Sequence, residues 1–157
     1  MYNILESKKN SLFIQQMEKK NTYKKLSELT EKLKSTNDPK RKYEYILWLG
    51  NKLKEPKNEI FVPENKVKGC VSEVFIKGYL VGNRITWEGY SDALITKGLL
   101  SFLIAGLSDL TPSEIIELNE DFIKDTGLKS SLTPSRANGF LNIFLKMKSE
   151  ANNLFRS

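Results

Sequence analysis

Residues 69–100 read GCVSEVFIKGYLVGNRITWEGYSDALITKGLL, and the hydrophobic pattern changes twice inside them. The first part, VSEVFIKGYLV, is rich in β-branched and aromatic residues. Gly82-Asn83 interrupts it and RITWEG resumes it, which is the pattern of a β-hairpin around a tight turn. After Ser91 the period is no longer that of a strand. DALITKGLLSFLIAGL is apolar almost all round, so it predicts a buried central helix, with Ser91 as its cap. A short strand just before Gly69 would bring the antiparallel sheet to about three strands.

Outward from this centre the signals are helical. TYKKLSELTEKLKS, from residue 22, sets Leu26, Leu29 and Leu33 at helical spacing, with Asn21 or Thr22 available as a cap. Asp38 and Pro39 supply an N-cap and a first-turn proline for a second helix, whose inner face is predicted to be Tyr43, Ile46, Leu47, Gly50 and Leu53. Downstream, Thr111-Pro112-Ser113-Glu114 is a capping box. Gly127 stops the short helical stretch NEDFIKDT. Thr133-Pro134 opens the last helix, in which Phe140, Leu141, Phe144 and Leu145 recur at helical spacing. Helices, a small antiparallel sheet, then helices again describe an α+β domain over residues 22–157. Residues 1–21 read as a partly helical or disordered extension.

Several functions are excluded by composition. The chain has 157 residues, no histidine and one cysteine. Without histidine there is no Ser-His-Asp or Cys-His catalysis and no imidazole-bound zinc. A single cysteine forms neither an internal disulfide nor a CxxC redox pair nor a thiolate zinc site, and it suits a reducing compartment. No glycine-rich phosphate loop is present. Neither a metal nor a cofactor of its own is expected. The net charge is +6, but the lysines are spread along the chain beside glutamates, with no basic block interleaved with aromatics, so no nucleic-acid partner is expected. The longest apolar run, LLSFLIAGL, is too short to span a bilayer, which removes the membrane as a partner. The N-terminus lacks the order of a secretory signal. A cytoplasmic protein is the reading, with the plastid stroma as the alternative if residues 1–21 are a transit remnant.

Covalent chemistry, if present, falls first to Cys70. It follows Gly69, which permits an unusual φ, and it lies at a loop-to-strand boundary between Lys66, Lys68 and Ser72. A free thiol with a pKa near ~8.5 is only slightly ionised at neutral pH; nearby ammonium groups raise the thiolate fraction and apolar burial lowers it. The alternative is a small buried core residue. Arg136 falls in the first turn of the last helix, where the helix dipole disfavours a cation. It either pairs with a carboxylate of this chain or holds one on a partner or near the cysteine loop. Asp92, after Ser91, suits the start of the central helix, and the same junction puts it at the sheet edge close to the loop.

Taken in order, GCVSEVF, SDALITKGLLSFLIAGLSDLTPSEI and DFIKDTGLKSSLTPSRANGFLNIF resemble the SufE family of sulfur-acceptor proteins of iron–sulfur metabolism. The similarity continues upstream through DPKRKYEYILWLGNKL and covers roughly residues 22–150. The resemblance implies a fold like that of the NifU/IscU scaffolds, with the acceptor cysteine at a loop tip. It implies a pyridoxal-phosphate cysteine desulfurase of SufS type as partner, the cofactor residing on that partner. It implies onward delivery to an iron–sulfur scaffold complex of SufBCD type. Cys70 matches the acceptor, and Gly69, Val71, Ser72, Ser91, Asp92 and Arg136 become the loop and partner-binding set. Three positions depart from the family pattern: Val71 replaces a usual glutamine, Phe75 a usual tryptophan, and Tyr90 a common acidic residue. The chain then reads as an accessory sulfurtransferase-type protein carrying a transient persulfide, not an independent catalyst. Two alternatives stay open: sulfur delivery to tRNA or cofactor thiolation, and a non-catalytic adaptor with an inert Cys70.

Overall fold

Alternation of apolar and polar residues produces the hairpin. In the computed structural model, which describes residues 3–157, β1 (Val74–Val81) and β2 (Arg84–Ser91) pair antiparallel with Val74 opposite Ser91 and Val81 opposite Arg84. Gly82 takes φ 64° at the turn. Ile76, Ile85 and Trp87 are buried on one face of the sheet. Gly78 faces Trp87, and a Cβ there would stand 2.9 Å from the indole.

The sheet has two strands, not about three. Ahead of the cysteine loop only Lys66 makes a bridge, to Phe75. The reason is local: the preceding chain is wound into short 3₁₀ turns at Asn58–Ile60 and Pro63–Asn65. Pro63 also has no N–H to give a ladder.

Seven helices surround the hairpin among the described residues: α1 (Ile4–Thr22), α2 (Lys24–Lys34), α3 (Pro39–Gly50), α4 (Leu94–Gly106), α5 (Pro112–Glu117), α6 (Asp121–Asp125) and α7 (Pro134–Arg156). The capping chemistry behaves as the sequence indicates. Asp38 accepts from the Lys40 N–H at 2.9 Å. Thr111 and Glu114 exchange bonds at 3.2 and 3.0 Å. Thr133 accepts from Arg136 N–H at 3.3 Å, and Gly127 ends α6 in the left-handed region at φ 67°.

Helix α4 is the buried centre, with Leu99, Leu100, Phe102 and Leu103 fully enclosed. It crosses α3 at backbone contact: a Cβ on Gly98 would lie 2.1 Å from the Ile46 carbonyl oxygen, and one on Gly50 3.0 Å from the Gly98 nitrogen. The Ser101 hydroxyl adds a 2.7 Å bond to the Leu49 carbonyl. This crossing rotates the inner face of α3 relative to the sequence reading. Lys42, Ile46, Leu49 and Gly50 are buried, whereas Tyr43 is exposed and Leu47 and Leu53 are half-buried. Lys42 is tolerated inside because its Nζ donates to the Thr126 carbonyl at 3.0 Å, past the end of α6. In α7 the inner face is Phe140, Ile143, Phe144 and Met147, while Leu145 points to solvent.

Neither Asn21 nor Thr22 caps α2. Helix α1 continues through Thr22, whose hydroxyl donates back to the Glu18 carbonyl at 3.0 Å. The break falls at Tyr23, whose phenol reaches the Glu114 carbonyl at 2.6 Å. Helix α1 buries none of its residues. Among the described residues no helix is long and apolar enough to cross a membrane.

Candidate functional site

The sulfur sits on a loop with a fixed neck. Val67 and Val74 are core residues, and the Val67 N–H donates to the Val74 carbonyl at 2.9 Å. Lys66 adds its bridge to Phe75 and stands 3.9 Å from the Glu73 carboxylate. Asp92 closes the far side. Its Oδ1 accepts from the Glu73 N–H at 3.0 Å, and its own N–H donates to the Glu73 carbonyl at 3.2 Å. Asp92 is therefore the tie between loop and hairpin rather than the cap of α4. Nor does Ser91 cap it: Ser91 is the last residue of β2, its Oγ accepts from Ala93 N–H at 3.3 Å, and α4 begins without a side-chain cap.

Between these ties the tip Gly69-Cys70-Val71 folds back on α7. Gly69 takes φ 79°, a conformation that strains any side chain. Cys70 Sγ lies 3.8 Å from the Gly139 carbonyl, toward which its S–H is directed. The thiol is half-buried. Its shelter is α7, at a position where a missing side chain leaves room: a Cβ on Gly139 would stand 3.7 Å from the sulfur. Val71, next along, is 76% exposed, so the turn separates a half-buried sulfur from an uncovered apolar side chain.

Arg136 is brought to the same loop. Its Nη1 donates to the Ser72 and Thr96 hydroxyls, the latter at 2.8 Å, and those two hydroxyls lie 3.2 Å apart. Among the described residues Arg136 makes no ion pair. Of the two readings of Arg136, a partner carboxylate in this chain is not what is found. A half-buried guanidinium held only by hydroxyls keeps its positive field for whatever anion comes near. Two influences then act on Cys70. Burial pushes its thiol above the ordinary value and is the larger, while the Arg136 charge pulls it down. The resting sulfur is thus a protonated thiol next to a charge that favours its ionised form.

Of the seven residues singled out in the sequence, Gly69, Cys70, Val71, Ser72, Asp92 and Arg136 fall on this loop or its ties, while Ser91 ends β2 opposite Val74, at the foot of the loop. Thr96, Gly139 and Asn142 belong there too and were missed. Asn142 donates from Nδ2 to the Gly69 carbonyl at 3.0 Å. Helical spacing was the available signal: 136, 139 and 142 are each three apart and share a face of α7. Tyr90, which departs from the family pattern, has a packing role, since it and Phe75 both meet Phe61 edge-on at 5.0 and 5.3 Å. Among the described residues no cluster of carboxylates and thiol is placed to hold a metal ion.

Comparison with known proteins joins this geometry to a family. Residues 27–151 match the model of SufE, described as an Fe-S metabolism associated domain. An uncharacterised SufE-like protein of Synechocystis is 49% identical over 126 residues, 80% of this chain and 79% of that one. The chloroplastic/mitochondrial SufE-like protein 1 of Arabidopsis thaliana is 38% identical across 83% of this chain, which accounts for only 35% of the plant protein. A cysteine desulfuration protein SufE of Plasmodium falciparum is 33% identical over the whole chain and 66% of its own length. The solution structure of a hypothetical protein from Thermus thermophilus shares the fold, with TM-score 0.74 and 21% identity over 85% of this chain and 97% of that one. The match encloses the cysteine loop, the hairpin, the buried helix and the start of α7 that shelters the sulfur, and the chain belongs to the SufE family.

Proposed function

We propose that Cys70 accepts sulfur from the persulfide of a cysteine desulfurase, stimulating that enzyme by clearing its product, and passes the sulfur on to an iron–sulfur scaffold. The observation that carries the reading is the placement of the chain's single thiol at the tip of a loop with a fixed neck, beside a guanidinium that, among the described residues, pairs with no carboxylate. Relay chemistry needs no more than this. The Cys70 thiolate attacks the outer sulfur of the partner's Cys–S–SH. The bond between the partner's two sulfurs breaks, the inner sulfur leaves as a thiolate, and Cys70 carries the outer one as –S–SH. No electrons are gained or lost overall. A second nearby cysteine would discharge such a persulfide as a disulfide, and this chain has none.

At rest the sulfur is covered and protonated, which suits an atom that any small thiol or oxidant would otherwise consume. Docking swings the tip outward into the desulfurase cleft and releases the thiol from the burial that keeps it protonated. Exposed Val71 and Leu94 flank the Glu73–Asp92 tie and offer the apolar contact for that partner. Neither metal nor cofactor belongs to this chain; the pyridoxal phosphate is the partner's. The setting is a reducing compartment, the cytoplasm or the plastid stroma. The family description as an Fe-S metabolism associated domain supports the scaffold as destination over tRNA or cofactor thiolation.

The test is intact-mass analysis after incubation with cysteine and a desulfurase. The expected outcome is one added sulfur on Cys70, none on Cys70→Ser, and no stimulation by that variant despite an unchanged circular dichroism spectrum. Full stimulation by Cys70→Ser would sink the relay.

A further inference from the structure

We infer that Asn142 is a positioning residue for Cys70: its hydrogen bond to the loop sets how often the thiol leaves α7. The inference rests on the relay reading for its purpose but not for its test.

Three residues of α7 meet the loop in antiparallel order. Arg136 holds Ser72, the Gly139 carbonyl faces Cys70 Sγ, and Asn142 Nδ2 donates to the Gly69 carbonyl at 3.0 Å. Only the last bond fixes backbone at the tip. The approach is close: a Cβ on Gly69 would stand 2.8 Å from Asn142 Nδ2, so a side chain there would push the amide off its bond. With φ at 79°, Gly69 is also the tip residue whose backbone can move furthest at low steric cost. The contact with Cys70 itself is a weak sulfur bond at 3.8 Å. Arg136 acts on the Ser72 side chain, beyond Val71. Lys146 also reaches the segment, donating to the Glu64 carbonyl at 2.6 Å, but Glu64 lies before the neck, which the Lys66–Phe75 and Val67–Val74 pairings tie independently. Removing Lys146 therefore leaves the tip in place, whereas removing Asn142 frees it.

A tip held by one neutral hydrogen bond opens about five-fold more often when that bond is removed, because such a bond is worth only a small net amount against water. Alkylation of Cys70 in the free protein reads this opening directly. Asn142→Ala and Asn142→Leu, which lose the donor with and without loss of volume, are expected to react with iodoacetamide about five-fold faster than wild type. Lys146→Met is expected to react at the wild-type rate. If the loop-out form is the one that a desulfurase captures, its larger population lowers the concentration of this protein that half-saturates stimulation by a similar factor and leaves the saturating rate unchanged. A merely structural residue would not produce that split. Wild-type alkylation rates in both Asn142 variants would overturn the inference. So would equal acceleration by Lys146→Met, or faster alkylation with an unchanged half-saturating concentration. The alkylation comparison uses no desulfurase, so a clasp that fails it is distinguishable from a relay that fails: the latter would show as absent sulfur uptake by wild type.

Discussion

Helices α3 and α4 meet through bare backbone, with Gly98 against the Ile46 carbonyl, whereas the Cys70 loop meets α7 through single polar contacts at Ser72, Cys70 and Gly69. The two regions fail differently. A close-packed crossing has no intermediate state, because interiors at crystal-like density do not deform gradually. A loop held by separate hydrogen bonds has several, because each such bond contributes only about 1 kcal/mol net. The neck sets the boundary between the two behaviours. Val67 and Val74 belong to the core, whereas Gly69 and Val71 are exposed and Cys70 is half-buried. The proposed relay requires both, a rigid frame to present the loop and a tip that can change partners.

The largest effect should come from breaking the rigid side. Gly98→Ala forces a Cβ to within 2.1 Å of a backbone oxygen. The expected cost is about 3 kcal/mol or more, seen as a lower thermal midpoint or loss of folding. A midpoint equal to that of wild type would show that the crossing is as yielding as the loop. Next is Arg136→Met. Ser72 and Thr96 hydroxyls keep each other as partners at 3.2 Å, so the stability loss should be about 1 kcal/mol. The pH profile is more telling. The thiolate is the charged form and Arg136 favours it, so removing the cation raises the Cys70 pKa further, and the alkylation midpoint moves to higher pH. A midpoint that falls would contradict the assigned electrostatics. The smallest effect belongs to Gly139→Ala. The new methyl stands at ordinary contact distance from the sulfur, 3.7 Å, and the helix gains up to about 1 kcal/mol from losing a glycine. Slightly higher stability with modestly slower alkylation is expected; faster alkylation would mean that the tip does not rest on α7.

Local signals were legible in the sequence, and long-range ones were not. Asp38-Pro39, Thr111 to Glu114 and Thr133-Pro134 carry their caps within a few residues, so the starts of α3, α5 and α7 could be read directly. The end of α1 could not: no glycine or proline marks Tyr23, and its phenol bonds to Glu114, far along the chain. The inner face of α3 was misjudged because Leu49 and Lys42 are buried by α4 and the Thr126 carbonyl, neither visible in a local period. Cys70 was legible because it is the single cysteine of a chain with no histidine. Arg136 was recognisable as a cation out of place and Asp92 read as suited to a helix start, yet their partners Glu73, Ser72 and Thr96 are set by the packing of hairpin and helices. Asn142 carried no chemical signal of its own, only its spacing from Arg136 and Gly139.

The central claim is that the thiol is sheltered in the free protein and released by its partner. Iodoacetamide labelling of Cys70, with and without a catalytically inactive cysteine desulfurase, tests it most directly. Burial that raises the thiol pKa should make labelling slow in the free protein, and docking should accelerate it as the tip leaves α7. Fast labelling of the free protein, unchanged or lowered by the partner, would contradict the account.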